Sequence, residues 1–413
     1  MKLRLDDIAD CLWRAYYDSI RSSAYTLRHL GFCLDFEDAL IDTTYKLYNR
    51  TYRLSPALVC MAHKPVNREV FIPQVIDSVV SHMLYMMLYP MYEQLFDDDC
   101  YACRIGKGNS YAISRLEHHL RSVSNNWKGP CYVLQYDIAG YFISIVHDKL
   151  YRFVCTDLDK LINRKVPENL LQKGIVSVKE YKRISGRYWN EVRDLDFILW
   201  LSNVFIHRRA TENIRFLSSP SEWTNYPPWK SMFNAPDGVG IIIGDVSNQM
   251  FSNVNGMRLD NFLKRKCRCR HRGRLVDDGF VVEQDMGILE ERRTDIGRFL
   301  EEELGQSLHP NKVKISDAYQ GIDFLGGRIL PYRKYVSQRN RGNFLSLIEE
   351  IDRALGTDPD IETKEYYQAR LNSALGYLSC FNEFNLKKKL LDKRNITDVF
   401  TIGPDIKKVV LRK

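Results

Sequence analysis

The sequence lacks a long hydrophobic run, which argues against a membrane-spanning helix. Its best candidate, around residues 79–91, is interrupted by Ser81, His82 and Pro90, whereas a helix that crosses a bilayer needs roughly 18 consecutive apolar residues. The N-terminus also lacks an apolar segment that ends at a small-residue cleavage site. We therefore expect no membrane partner and no secretory leader, and we expect a cytoplasmic protein.

The sequence also lacks a framework of closely spaced cysteines. Its ten cysteines are scattered over all 413 residues, a distribution that indicates free thiols in a reducing compartment. Two short pairs, Cys100 with Cys103 and Cys267 with Cys269, have enough thiolates for one zinc site. Only one residue separates the second pair, a short spacing for zinc ligands, so we favour free thiols there as well.

Neither an internal repeat nor a low-complexity segment is present, and the composition excludes disordered and fibrous classes. Hydrophobic residues make up 45% and charged residues 27% of the chain, as in ordinary globular proteins. Lys and Arg exceed Asp and Glu by 60 to 52, a net charge of +8. The excess concentrates in Lys264–Arg274 (KRKCRCRHRGR) and in short runs at 387–389, 407–408 and the C-terminus. A phosphate-rich partner explains both clusters, although a solvated basic surface explains either one alone.

Hydrophobic periodicity predicts several helices and two short β segments. Apolar residues at Leu5, Ile8, Leu12, Tyr16 and Ile20 recur on one helix face. Further helices are expected over Phe71–Tyr92, Ser110–Val123 and Val246–Lys264, and from about 330 to 393. The β segments are Val133–Ile145 and Arg274–Glu283, the second with the form of a hairpin.

Asp137, Asp277 and Asp278 are the strongest candidate catalytic residues. Asp137 stands in the apolar segment YVLQYDIAGYF, and Asp277 and Asp278 separate the apolar halves of RLVDDGFVVE. An aspartate in an apolar strand needs a compensating cation or an open cleft, and oxygen-only ligands suit two Mg²⁺ ions, or Mn²⁺, in phosphoryl transfer. For each group alone, a helix-capping aspartate and a hairpin-turn acid pair are the alternatives. Their joint occurrence beside a glycine-spaced helix start and a basic segment favours a catalytic site.

The same segments resemble the motifs of reverse transcriptases. YDIAGYF resembles motif A, GIIIGDVSNQ resembles motif B, and LVDDGFVV resembles the catalytic hairpin of motif C. NREVFIPQVIDSVVSHMLYMMLYPMYEQLF and CYACRIGKG are similar to the fingers motifs, LHPNKV to motif D and QGIDFLGGRI to motif E, the primer grip. The order is that of the family over roughly residues 60–330. Among bacterial enzymes, the segment before motif B is most similar to the diversity-generating retroelement group, and related defence-associated reverse transcriptases have similar cores.

The resemblance implies an α+β fold of the right-hand polymerase type. A helical N-terminal region is expected over 1–60, fingers over 61–130, and a palm with an antiparallel sheet over 131–334 that includes an inserted segment at about 156–235. A helical thumb and basic tail are expected over 335–413.

The resemblance also implies a role for individual residues. Asp137 and Asp277 would hold two Mg²⁺ or Mn²⁺ ions, Asp278 would support them, and the carbonyl of Ile138 would complete one metal shell. Lys312 is a candidate general acid for the pyrophosphate leaving group, with a plain phosphate contact as the alternative. Residues expected at the incoming dNTP are Lys64, Arg68, Phe142, Ile243, Gly244 and Gln249, among which Phe142 would exclude a 2′-hydroxyl. Residues expected at nucleic acid are Lys264, Arg265, Lys266, Arg268, Arg270, Arg272, Arg274, Gly326, Gly327, Arg339 and Arg341.

The implied activity is the copying of a dedicated non-coding or template RNA into DNA. The implied partners are that RNA, a primer and its DNA product, dNTPs, and an accessory or partner protein. Mutagenic retrohoming and antiphage DNA synthesis remain equal alternatives for the biological role. A catalytically weak RNA-binding scaffold and an RNA-dependent RNA polymerase are the alternative activities, and the aromatic residue at Phe142 speaks against the latter.

Overall fold

The computed structural model describes residues 2–20, 27–63, 67–209, 211–212 and 214–412. Its helices are α1 (Leu5–Ser19), α2 (Leu27–Phe32), α3 (Phe36–Tyr48), α4 (Val75–Tyr92), α5 (Asn109–Val123), α6 (His147–Ile162), α7 (Val178–Ile184), α8 (Trp189–Val192), α9 (Leu195–Ile206), α10 (Val246–Arg265), α11 (Met286–Phe299), α12 (Gln338–Leu355), α13 (Ile361–Leu378), α14 (Phe384–Leu391) and α15 (Arg394–Val399). Its strands are β1 (Leu58–Ala62), β2 (Arg68–Ile72), β3 (Tyr132–Tyr136), β4 (Arg215–Phe216), β5 (Arg272–Leu275), β6 (Asp278–Glu283), β7 (Lys314–Asp317), β8 (Ile322–Phe324), β9 (Gly327–Leu330), β10 (Arg333–Val336), β11 (Phe400–Ile402) and β12 (Val409–Leu411). The fold is therefore a mixture of helices and small, mainly antiparallel sheets.

A four-stranded antiparallel sheet in the order β5-β6-β3-β7 forms the centre of the molecule. Leu134 and Val281 pair across β3 and β6 and face a large helical core, whereas their neighbours Val133 and Val282 face a second core. Helices therefore cover both faces of this sheet. This explains why the sequence of β3 begins with a continuous apolar run rather than an alternating one.

The first core contains the predicted N-terminal helix. Ile8, Leu12 and Tyr16 of α1 are buried, as their spacing predicts, and they pack with residues of α3 and α4. The helices predicted before the sheet and before the acidic hairpin are also present as α4, α5 and α10.

The segment after Ile329 differs from the prediction. We expected a helix immediately after this residue, but β9 continues to Leu330 and turns into β10, so that β8, β9 and β10 form a three-stranded sheet. Pro331 cannot continue an antiparallel ladder, and Tyr332 has a positive φ of 62°, so these two residues make a turn between strands. The helices of the C-terminal region begin only with α12 and end before the hairpin β11–β12.

The hairpin of β1 and β2 gains a third strand, β4, from a distant part of the chain. Among the residues described, no helix is long and apolar enough to cross a membrane.

Candidate active site

The central sheet brings the three predicted catalytic aspartates together. Asp137 directly follows β3, and β3 is hydrogen-bonded to β6, which begins with Asp278. Tyr136 pairs with Gly279 in this antiparallel pair, so the chain leaves β3 and enters β6 at the same edge of the sheet. Residues that are 140 positions apart in the sequence therefore end in one place.

Asp277 lies in the two-residue turn that joins β5 to β6. Leu275 pairs with Asp278, which leaves Val276 and Asp277 as the turn residues. Val276 has a positive φ of 59°, a conformation that β-branched residues rarely adopt and that glycine usually supplies in tight hairpins. Such strain is typical of functional sites, where the surrounding structure holds the chain in place.

Gly279 allows the aromatic ring of Tyr136 to lie across the start of β6. A Cβ atom at Gly279 would lie 2.2 Å from the Tyr136 ring. The sequence pattern of two aspartates followed by glycine thus has a packing reason in addition to a chemical one.

Lys312 reaches the same site from the loop before β7. The backbone N–H of His309 donates to the carbonyl of Asp137 at 2.8 Å, and the N–H of Ala139 donates to the carbonyl of Ser307 at 2.9 Å. These two bonds fix the loop against the end of β3. Because they flank Ile138, the N–H and the carbonyl of Ile138 itself point away from the loop. Lys312 Nζ then pairs with Asp137 Oδ2 at 2.7 Å.

The electrostatics of the site are those of crowded carboxylates. Burial and repulsion from Asp137 raise the pKa of Asp277. Partial burial of the carboxyl, together with repulsion from Asp277 and Asp137, raises the pKa of Asp278 to about 6, although the residue as a whole is exposed. Burial lowers the pKa of Lys312, but the hydrogen bond to Asp137 and the other carboxylates outweigh it and raise that pKa overall. The site therefore has excess negative charge that one lysine only partly compensates.

Asp137, Asp278 and Lys312 border an open cleft of about 270 Å³, which we call the acidic cleft. Its lining residues are Gln135, Tyr136, Asp137, Asp278, Gly279, Asn311, Lys312, Lys314, Asp323 and Phe324. Sequence reasoning missed Gln135, Asn311, Lys314 and Asp323. Gln135 was detectable as the polar residue of an apolar strand, and its Nε2 donates to the carbonyl of Asp323 at 2.8 Å.

The predicted sugar-selecting residue lies between the aspartates and the glycine-spaced segment. Phe142 starts a short 3-10 turn five residues after Asp137, and its carbonyl accepts the N–H of Ile241 at 2.9 Å. A second bond, from the N–H of Gly240 to the carbonyl of Ile145 at 2.8 Å, joins the same two segments. Phe142 is half-buried, so part of its ring remains accessible.

The other predicted nucleotide contacts are spread over neighbouring elements. Gly244 packs against β2, where a Cβ atom would lie 2.4 Å from the carbonyl oxygen of Phe71, and Ile243 precedes it. Arg68 is exposed on β2. Its positive charge opposes part of the rise in the pKa of Asp277 and Asp278, so it acts electrostatically on both carboxylates. Gln249 accepts a hydrogen bond from the thiol of Cys103 at 3.4 Å. Lys64 lies outside the described residues.

Two members of the predicted nucleic-acid surface are instead buried in ion pairs. Arg274 is completely buried, and its guanidinium donates to Asp260 at 2.7 and 2.9 Å. Arg272 is also buried and pairs with Asp97 at 2.6 Å. The prediction that both contact nucleic acid is therefore wrong. The alternation of β5 turns these side chains into the protein, where Asp97, 175 positions from Arg272, and Asp260 of the preceding helix α10 neutralise them.

The remaining basic residues of that segment are at the surface. Arg265, Lys266, Arg268 and Arg270 are exposed. Lys264 is exposed too, although its Nζ pairs with Asp97 at 2.8 Å. Their contact with nucleic acid stays a prediction.

The two glycines predicted at nucleic acid pack against the C-terminal helices. A Cβ atom at Gly327 would lie 2.4 Å from the ring of Phe381, and one at Gly326 would lie 2.2 Å from the side chain of Asn340. Gly327 is buried, so its predicted contact with nucleic acid is wrong, and Gly326 serves helix packing on the same side. Arg339 and Arg341 are exposed on α12.

The donor set at the acidic cleft suits a hard divalent cation. Within the described parts of the chain, no group of three or more His, Cys, Asp or Glu side chains is placed to hold a metal ion by itself. Mg²⁺ is commonly held by one or two carboxylates together with substrate phosphates rather than by a complete protein cage. Asp137, Asp277 and Asp278 fit that pattern, provided that Lys312 releases Asp137. The thiols of Cys100 and Cys103 instead contact the side-chain oxygens of Asn253 and Gln249.

Comparison with known proteins gives only distant likenesses. No protein-family model matches the sequence, and no curated protein matches it. A solved structure of telomerase from Candida albicans in complex with a TWJ fragment of telomeric RNA is similar over 88% of this chain and 64% of that chain, with 11% identity and a TM-score of 0.46. Apo telomerase from Candida tropicalis is similar over 84% of this chain and 62% of that chain, with 14% identity and a TM-score of 0.47. The chain thus spans less than two thirds of these telomerase chains, and no inference about activity follows from such distant similarity.

Proposed function

We propose that this chain is an RNA-directed DNA polymerase that copies a dedicated RNA into DNA. The observation that carries the proposal is the convergence of Asp137, Asp277, Asp278 and Lys312 at one sheet edge, beside an open cleft. Residues from motifs A, C and D meet there. Along the chain these motifs follow one another in the order expected of reverse transcriptases. The proposal includes the right-hand layout, with fingers before β3, a palm around the central sheet and a thumb from α12 onward.

The three aspartates would hold two Mg²⁺ or Mn²⁺ ions. Bound there, the ions supply activation of a primer 3′-hydroxyl and neutralisation of the triphosphate. The chain's own residues position the reactants: Arg68 offers a guanidinium to the triphosphate, and Phe142 restricts the space beside the sugar. Lys312 would supply a proton to the leaving group, and the hydrogen bond to Asp137 and the charges of the aspartates keep it protonated by raising its pKa.

A specific observation also favours an alternative function, a catalytically weak RNA-binding scaffold. Lys312 already neutralises Asp137 through a 2.7 Å ion pair, so the site does not require a metal in order to compensate that charge. In this alternative the exposed arginines and lysines bind RNA, and the acidic cleft has no catalytic role.

Sequencing of co-purified nucleic acid tests the proposal. The wild type and D277N are expressed with native flanking DNA, and the RNA and DNA bound to each are sequenced. We expect DNA complementary to a specific RNA on the wild type and only the RNA on D277N. The same RNA on both proteins, with DNA on neither, favours the scaffold.

The same data address the biological role and partners. Substitutions opposite template adenines indicate mutagenic retrohoming, whereas faithful DNA that accumulates during phage infection indicates defence. An accessory protein would appear as a band that co-purifies with the complex.

A further inference from the structure

A second cleft, separate from the acidic cleft, lies between the end of α3 and the C-terminal half of α9. Its volume is about 840 Å³, and it shares no lining residue with the acidic cleft. Arg50, Arg53, Arg208 and Arg209 line it together with His207 and Trp200. We call it the arginine cleft.

Two of these arginines present donors that have no acceptor in the described chain. Nη1 of Arg50 and Nη1 of Arg208 are both buried without a hydrogen-bond partner among the described residues. The Arg208 side chain is only 9% exposed, and its other terminal nitrogen donates to the carbonyl of Ser55 at 2.9 Å. Buried donors are rarely left unsatisfied in native proteins. Nη1 of Arg208 faces the carboxylate of Asp245, so Nη1 of Arg50 is the nitrogen that points to an acceptor supplied from outside the chain.

Arg50 occupies a backbone position that arginine does not favour. It follows the C-cap of α3 with a φ of 58°, in the left-handed region where glycine or asparagine is usual after a helix. The backbone conformation does not favour arginine at this position, so the contacts of the side chain must explain why an arginine occurs there. Its guanidinium lies over the rings of Phe197 and Trp200, 4.5 and 5.0 Å from their centroids. Stacking of this kind fixes the plane of the guanidinium and leaves its edge available for an oxyanion.

Acidic groups lie close to several of these basic residues. Arg209 pairs with Glu212 at 2.7 Å, and His207 contacts Asp148 at 3.2 Å. Asp245 is buried behind Arg208, with 3.6 Å between Oδ2 and Nη1, a separation too long for a hydrogen bond. Burial raises the pKa of Asp245 to about 7, so that this carboxyl is only partly ionised near neutral pH. The charges of Asp194 and Asp196 also act on Arg50, and Arg53 adds an exposed positive charge.

We propose that the arginine cleft is a binding site for a phosphate group, carried either by a nucleic-acid strand or by a free nucleotide. Planar guanidinium groups bind phosphate oxygens through paired hydrogen bonds, and the stacked guanidinium of Arg50 holds such a donor in place. The inference does not rest on the polymerase activity, because it uses no residue of the acidic cleft.

Binding measurements on the complete chain in EDTA test the proposal, since EDTA suppresses metal-dependent binding at the acidic cleft. The probes are a 5′-labelled 20-nucleotide RNA, followed by fluorescence anisotropy, and ATP and tripolyphosphate, followed by calorimetry. The variants are R50Q/R53Q and, as a matched control, R394Q, because Arg394 is 92% exposed on α15. R53Q alone keeps the test valid if loss of the Arg50 stacking lowers stability, since Arg53 is exposed.

We expect the double variant to bind at least one probe about tenfold more weakly, with R394Q within about twofold of the wild type. Weaker binding of RNA alone identifies a strand phosphate as the ligand, and the slope of affinity against salt should then fall by about 1–2. Weaker binding of ATP and tripolyphosphate identifies a free nucleotide. Unchanged binding of all three probes by R50Q/R53Q and by R53Q would overturn the proposal.

Discussion

The three aspartates explain the most about this molecule at the scale of single residues. Each is an ordinary acid in the sequence, but burial at the sheet edge, together with repulsion between the carboxylates, raises the pKa of both Asp277 and Asp278. Perturbed carboxylates that share a cleft are typical of catalytic sites. The repulsion also costs folding stability, which makes it measurable without substrate.

Replacement of Asp278 should stabilise the protein at neutral pH. The pKa of Asp278 is about 6 in the folded chain and about 4 in an unfolded one, so its ionisation opposes folding increasingly from about pH 4 and fully above about pH 6. D278N should therefore melt on the order of 1 °C above the wild type at pH 7.5, and the difference should vanish near pH 4. Calorimetric melting without divalent ions measures it. D159N, at an exposed position outside the cleft, should show no such trend, and an equal trend in both variants would contradict the repulsion argument.

Phe142 provides a second prediction at this scale, which depends on the proposed function. Its ring is half-buried, and its carbonyl is fixed by a hydrogen bond from Ile241. Truncation to alanine should therefore open the space that the ring occupies without moving the backbone. F142A should lower the preference for deoxynucleotides over ribonucleotides by about tenfold or more, equivalent to about 1.4 kcal/mol. Single-nucleotide incorporation with both sugars measures the ratio. F216A, which removes an exposed ring from β4, is the control, and an unchanged ratio in F142A would refute the role.

At the scale of elements, the basic segment that ends α10 and enters β5 divides into two parts. Its exposed residues are the predicted contacts of a phosphate-rich partner, whereas Arg272 fastens β5 to the loop after α4 and Arg274 fastens it to α10. Gly256 of α10 makes room for this, because a Cβ atom there would lie 2.3 Å from the guanidinium carbon of Arg274. The same string of basic residues therefore combines a predicted binding role with a role in folding.

Substitutions in the two halves should affect different properties, namely stability in the buried half and RNA binding in the exposed half. R274A leaves Asp260 buried without its partner, and loss of one member of such a pair costs about 3–5 kcal/mol. R270A changes an exposed residue and should alter stability by less than about 0.5 kcal/mol, while reducing the salt slope of RNA binding by about 1. Urea denaturation and anisotropy titrations at several salt concentrations separate the two effects. Equal stability of R274A and R270A would contradict the assignment of Arg274 to the core.

At the scale of the whole molecule, the sequence predicted the elements that carry local patterns. The apolar spacing of α1 and the acidic hairpin were both confirmed, because each depends on periodicity or turn chemistry within a few residues. The meeting of Asp137 with the hairpin followed from motif order, and the ion pair of Lys312 with Asp137 makes that meeting concrete.

The features that could not be predicted from the sequence depend on contacts between different elements of the fold. Arg274 looked like a surface residue because Asp260, which neutralises it, lies on another element, and Gly327 looked exposed because Phe381 covers it only after the chain returns. The arginine cleft also escaped notice, since Arg50 and Arg208 are far apart in the sequence. Long-range pairing, rather than local propensity, decided each of these outcomes.

Primer extension on an RNA template tests the central claim most directly. Purified wild type, D277N and the control D159N are incubated with a primed RNA, dNTPs and either Mg²⁺ or EDTA. We expect Mg²⁺-dependent DNA synthesis by the wild type and D159N, and a loss of at least about a hundredfold in D277N. Extension by D277N at the wild-type rate, or no extension by a wild type that binds the primed RNA, would contradict the claim that the acidic cleft is a polymerase active site.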